Sequence, residues 1–105
     1  MLKSLTTTNP DWLHNSHAGE LLVSEFMEPI GLTAEVLASA ISVDAARLCA
    51  MIAGNEPVSA DLDLRLGRYF QMSEGFFLRL QGQYELLEAK RALNGELDKI
   101  LPRAA

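Results

Sequence analysis

From residue 16 onward, apolar side chains recur three and four positions apart, the spacing that gathers one face of an α-helix. Leu22 and Phe26 form the first such pair, and Ser16 ahead of them, with Glu20 in the first turn, predicts a capped helix start. Pro29 and Gly31 end that helix. Thr33 opens a second helix over 34–40; the Ser42-Val43 break and Asp44 then introduce a third over 45–53, stopped by Gly54 with Pro57 just beyond. Ser59 caps a fourth over 60–70, whose apolar stripe is Leu62, Leu66 and Phe70. Ser73 caps a fifth, from 74 to 93, carrying Phe76, Phe77, Leu80, Tyr84 and Leu87. Asn94-Gly95 interrupts, and 96–101 predicts one or two further helical turns.

No segment alternates strictly between apolar and polar residues, and β-branched residues are sparse, so strands are not expected. The chain reads as all-α, with about five short helices burying amphipathic stripes against one another. Residues 1–15, with three threonines, a turn at Asn9-Pro10-Asp11 and Trp12 as a docking residue, read as a flexible N-terminal arm. Residues 16–93 form the domain, and 94–105 a short C-terminal tail.

Composition changes this picture little. The chain has 105 residues, 49% hydrophobic and 22% charged, which fits one folded domain with its own core. The single cysteine, Cys49, leaves no partner for an internal disulfide and no thiolate cluster for zinc. No apolar run approaches the ~18 residues of a membrane span, and the N-terminus has no apolar signal-peptide core. The default is a reduced, cytoplasmic protein without membrane partner or cofactor. Net charge is −5, the wrong sign for gripping phosphates over the whole surface. Nucleic-acid binding therefore has to be argued site by site.

The helices at 34–40 and 45–53, joined by a short turn, have the length and spacing of a helix-turn-helix. In that motif the second helix enters the major groove while the first crosses the backbone. Val36, Leu37, Ala38, Val43, Leu48 and Ile52 are the positions expected to be apolar or small where the two helices cross. The fold class is thus a compact five-helix helix-turn-helix domain with a C-terminal helical extension.

Several stretches carry a resemblance in order along the chain. They are His17-Ala18-Gly19-Glu20-Leu21-Leu22, Glu25-Phe26, and Glu28-Pro29-Ile30-Gly31-Leu32-Thr33. Ala53-Gly54, Pro57-Val58-Ser59-Ala60-Asp61 and Leu64-Arg65-Leu66 follow, then Ser73-Glu74-Gly75-Phe76-Phe77-Leu78-Arg79-Leu80-Gln81 and Tyr84-Glu85-Leu86. Over roughly residues 16–91 the chain resembles the HigA-type antitoxins, of the phage-repressor-like helix-turn-helix superfamily. The resemblance implies one half of a type II toxin–antitoxin module. Such a protein binds and silences a cognate toxin resembling a ribosome-dependent mRNA endonuclease, and it represses its own operon as a DNA-binding homodimer.

The departures from the family pattern fall on the DNA-facing surface. Ala34 stands where the family commonly has Gln, and Ser42 replaces the turn glycine. Asp44-Ala45-Ala46-Arg47-Leu48-Cys49-Ala50 replaces a run of the Ser-Arg-Ser-Thr-Val-Ser-Arg type, Ala53 an asparagine, and Asn55-Glu56 a basic pair. Over 33–57 the one cation, Arg47, faces Glu35, Asp44 and Glu56, a net charge of +1 − 3 = −2. A bidentate base contact is worth roughly 1–3 kcal/mol of discrimination, and alanine supplies none. The candidate DNA-binding residues are Ala34, Asp44, Ala45, Ala46, Arg47, Ala50 and Asn55. Three readings stay open: a purely structural helix, DNA binding through Arg47 with support from Arg65, Arg68 and backbone N–H groups, or DNA binding that needs the toxin's basic surface.

Other residues carry less. His14 and His17 are three apart, but no third ligand is spaced to join them, and His17 matches the family's helix-start histidine, so capping or packing is expected. Cys49 has no neighbour to stabilise a thiolate and reads as an ordinary small side chain. The pairs Glu20/Glu25 and Asp61/Asp63 read as solvated faces. No Ser/His/Asp arrangement, phosphate loop or paired catalytic carboxylates stands out, so no enzyme is expected. Phe76 and Phe77 are adjacent, about 100° apart on a helix, so one of them is expected to leave the core. The dimer interface is accordingly placed on Phe77, Leu80, Tyr84 and Leu87, and the toxin contact on the acidic helix 85–98 or the N-terminal arm. The competing reading is a stand-alone helix-turn-helix regulator, or a former antitoxin kept as a protein-binding module.

Overall fold

The computed structural model describes residues 15–104, and among these every regular element is helical. The expected turn at Asn9-Pro10-Asp11, the docking of Trp12 and the side chain of His14 lie outside the described residues. Helix α1 spans 18–30 in three modes: an α-helical turn at Ala18–Leu21, a wider π-helical stretch at Leu22–Met27, and a closing 3-10 turn at Glu28–Ile30. Gly31 ends it in the left-handed conformation at φ 64°. Then come α2 (Ala34–Ala40), α3 (Ala45–Ile52), α4 (Ala60–Phe70) and α5 (Phe76–Leu93), with a last 3-10 turn at Glu96–Lys99.

The caps explain most of these boundaries. Thr33, Asp44 and Ser59 each sit extended before their helix and accept a hydrogen bond from the backbone N–H of Val36, Ala46 and Leu62 respectively. Two expected caps are corrected. His17, not Ser16, starts α1: its Nδ1 accepts from Gly19 and Glu20 N–H, and Glu20 closes the reciprocal bond to the His17 backbone. Ser73 does not cap α5, which begins only after Gly75 turns the chain at φ 89°. The work falls instead to Asp63, from a neighbouring helix. Its carboxylate accepts from Gly75 N–H at 2.6 Å, Phe77 N–H at 2.8 Å and Leu78 N–H at 3.1 Å. Asp63 is therefore buried, not part of a solvated face. A negative charge there meets the positive end of the α5 dipole and its otherwise unpaired donors.

The core gathers Leu22, Leu37, Leu48, Leu62, Leu66 and Phe77, all essentially inaccessible. Ala18 and Gly19 press α1 against the end of α3, where a side chain on Gly19 would lie 2.7 Å from the Ile52 Cα and against the Met51 carbonyl oxygen. Only glycine permits that approach. Of the positions expected at the α2–α3 crossing, Leu37, Ala38 and Leu48 are buried and Val43 and Ile52 partly so, but Val36 is 55% exposed. Ile41 and Met51 fill the junction in its place.

Phe76 and Phe77 do not diverge as expected. Both rings pack on Phe26, at 6.0 and 5.4 Å between centroids, with Phe70 closing the cluster at 5.1 Å from Phe26. The core wraps around the start of α5, so side chains about 100° apart still meet it. Phe77 is 1% exposed and thus offers nothing to a second copy. Its placement in a dimer interface is corrected on that ground.

Candidate nucleic-acid interface

Helices α2 and α3 are joined by a tight turn in which Ser42 takes the left-handed conformation at φ 60°. Val43 N–H closes the turn on the Ala38 carbonyl at 3.0 Å, and Arg65 of α4 donates to the carbonyls of Ile41 at 2.9 Å and Ser42 at 3.3 Å. Arg65, expected among the cations free to meet phosphate, is thus committed to holding the turn.

Leu48 and Met51 point α3 inward, which fixes its outward face. That face carries Ala46, Cys49 and Ala53, with Ala50 half-buried beside them. Cys49 and Ala53 were not among the expected contacts. The helical period, counted from buried Leu48, would have placed both on the outward face. Of the expected contacts, Asp44 is an exposed cap and Asn55 lies in the exposed loop after α3, its N–H on the Ala50 carbonyl. Ala34 and Ala45 rest partly buried against the core.

Arg47 lies on the flank of α3 that faces α4. Its guanidinium donates to the Asp61 carboxylate at 3.1 Å and to the Ser59 hydroxyl at 2.9 Å. Asp61 also accepts from Arg65 at 2.8 Å. The hydrogen bond from Arg65, and then that from Arg47, holds the Asp61 carboxyl below its ordinary range, so it stays ionised well into acid. The one cation of the helix-turn-helix is therefore occupied by a carboxylate of the same domain. The outward face of α3 offers backbone, methyl groups and a thiol.

At the other end of α3, Gly54 leaves room for the His17 ring, whose Nε2 would lie 2.8 Å from a Cβ at that position. The His17 ring stands edge-on to Tyr84 at 5.8 Å, and the Asn15 amide donates to the Tyr84 carbonyl at 2.9 Å. Tyr84 is thereby used within the domain, and Leu80 packs on the core. On the opposite side of α5, Leu78, Leu86 and Leu93 form an exposed apolar row with Gly82 between the first two. Among the described residues no His, Cys, Asp and Glu cluster could hold a metal ion, and no helix is long and apolar enough to cross a membrane.

Two short helices crossing behind a tight turn on a packed scaffold have the geometry of a helix-turn-helix protein. The likeness to solved structures narrows this. A Pseudomonas aeruginosa protein in complex with its 18-base-pair operator DNA superposes with a TM-score of 0.80 at 34% identity, covering 86% of this chain and 96% of that one. Pseudomonas aeruginosa antitoxin HigA with the higBA promoter superposes at 0.75 with 31% identity, covering 86% and 98%. Virulence-associated protein I of Dichelobacter nodosus is 36% identical over 75 residues, which is 71% of this chain and 69% of that protein. No family model matches the chain. The chain belongs to the HigA-type family of helix-turn-helix antitoxins.

Proposed function

We propose that this protein is a non-enzymatic antitoxin that binds and neutralises a cognate mRNA-endonuclease-like toxin and represses its own operon as a DNA-binding dimer. The observation that carries the reading is the superposition of 86% of the chain on family members seated on operator or promoter DNA. Arg47 is the side chain on α3 that can reach a phosphate or a base edge. The methyl row Ala46, Ala50 and Ala53 suits apolar contact with thymine methyl groups. The two-fold contact belongs on the outward row of α5, Leu78, Leu86 and Leu93, because Leu80 and Tyr84 already serve the domain. The toxin contact belongs on the acidic stretch 85–98.

Titration against the DNA upstream of its own gene, at two salt concentrations, tests the repressor half. A saturable preference over a scrambled duplex is expected, with an affinity that falls as salt rises. Arg47→Ala should remove that preference and leave the fold intact. Restoring arginine at Ala45 and Ala50 should tighten binding and steepen the salt dependence. Co-expression with a small basic reading frame beside the gene tests the antitoxin half: growth should be restored. Failure of both assays would leave a stand-alone protein-binding module.

A further inference from the structure

We infer that Asp61 is an internal competitor for DNA, holding Arg47 by a charge-assisted hydrogen bond that a phosphate must displace. This deepens the proposed repressor role and rests on it for the identity of the DNA. Three observations meet. Arg47 is the one cation of residues 33–57, which carry a net −2. Its guanidinium is occupied from both sides, by Asp61 at 3.1 Å and Ser59 at 2.9 Å, and both groups stand at the start of α4, off the outward face of α3. Asp61 is itself held in position by Arg65 at 2.8 Å, and Arg65 is anchored on the turn carbonyls, so the acceptor is fixed to the scaffold.

Asp61 gives Arg47 one carboxylate oxygen, Oδ2, while Arg65 takes Oδ1, and a phosphate oxygen accepts the same kind of charge-assisted hydrogen bond. Moving Arg47 to DNA therefore exchanges one such partnership for another. The guanidinium is more than one-third exposed in the ion pair, so water and DNA both have access to it. The net gain per contact is smaller than a free arginine would provide. Asp61 also adds a negative charge beside α3, which weakens binding to every duplex. Asp61 thus sets how strongly, rather than where, the helix binds.

The test compares wild type, Asp61→Asn, Arg47→Ala, the Asp61→Asn and Arg47→Ala pair, and Glu35→Gln, each titrated against the promoter duplex and a scrambled duplex with a melting curve alongside. Asp61→Asn should tighten binding to both duplexes by about three- to tenfold, the range expected for freeing one exposed ion pair and removing one repelling charge. Measured against Arg47→Ala alone, the gain should fall to less than half, leaving only the part due to the lost charge. Glu35→Gln removes the same charge away from Arg47 and should give less than half the effect. An unchanged or weaker affinity in Asp61→Asn would overturn the inference, as would a gain that is undiminished in the absence of Arg47 or is matched by Glu35→Gln. If wild type prefers neither duplex, the operator reading fails, yet the ratio of Asp61→Asn to wild type on the scrambled duplex still decides the competitor role. No binding by either protein to any duplex overturns both.

Discussion

Asp61 and Asp63 stand two residues apart on α4, and they belong to regions built on opposite principles. Asp63 faces the junction with α5, where it is 1% exposed and all its partners are backbone N–H groups of one helix start. Asp61 faces the junction with α3, where its partners are two half-buried arginines. At the first junction the charge is fixed by geometry that water cannot replace. At the second, the bond between Asp61 and Arg47 is open to exchange with solvent or a ligand, while Arg65 stays anchored on the turn. One region makes the fold, and the other leaves the surface adjustable.

The contrast can be broken most forcefully at the buried end. Asp63→Ala leaves three N–H groups without their acceptor, and should lower unfolding stability by about 3 kcal/mol or more, read as a fall in Tm of roughly 10 °C or more. A loss under ~1 kcal/mol would show that water replaces the carboxylate and that the region is not closed. Gly19→Ala forces a methyl group into the α3 backbone and should cost about 2 kcal/mol by denaturant titration, despite alanine's better helix propensity.

Effects shrink toward the recognition surface. Ser42→Gly should raise stability by about 0.5–1 kcal/mol, because glycine accepts the left-handed turn that a Cβ disfavours, partly offset by a freer unfolded chain. Ala46→Ser and Cys49→Ser should each change stability by less than about 0.5 kcal/mol, as exposed positions do, whatever they do to DNA. The smallest effect concerns pH. The folded-state pKa of Asp61 lies below its unfolded value, so its contribution is complete above the unfolded carboxylate pKa near ~3.9 and is lost as pH falls through the lower folded value. An NMR titration should place the Asp61 carboxyl below the ordinary aspartate value, and Arg65→Ala should move it back upward.

Much of this was legible along the chain. Thr33, Asp44 and Ser59 mark their helix starts because a short polar side chain can fold back on the next turn, a local property. The helix-turn-helix spacing and the family motifs follow the same local logic. Ser16 and Ser73 failed as caps because better acceptors were at hand: His17 next in sequence, and Asp63 ten residues before Ser73 on another helix. Val36 failed as a core residue because it lies about 100° around α2 from the buried Leu37, whose side of the helix, with Ile41 one turn on, meets the core. Phe77 failed as an interface residue because the aromatic cluster curves around the end of its helix.

The sequence by itself determined the elements, their order, the reversal between α2 and α3, and the depleted charge of the recognition segment. Each of these depends on residue type and on neighbours within one or two turns. Only the tertiary structure decided which of two nearby aspartates is buried, that Arg65 holds the turn, and that Arg47 is already occupied. Those outcomes depend on distances between helices far apart in the chain, which no local pattern of residues encodes.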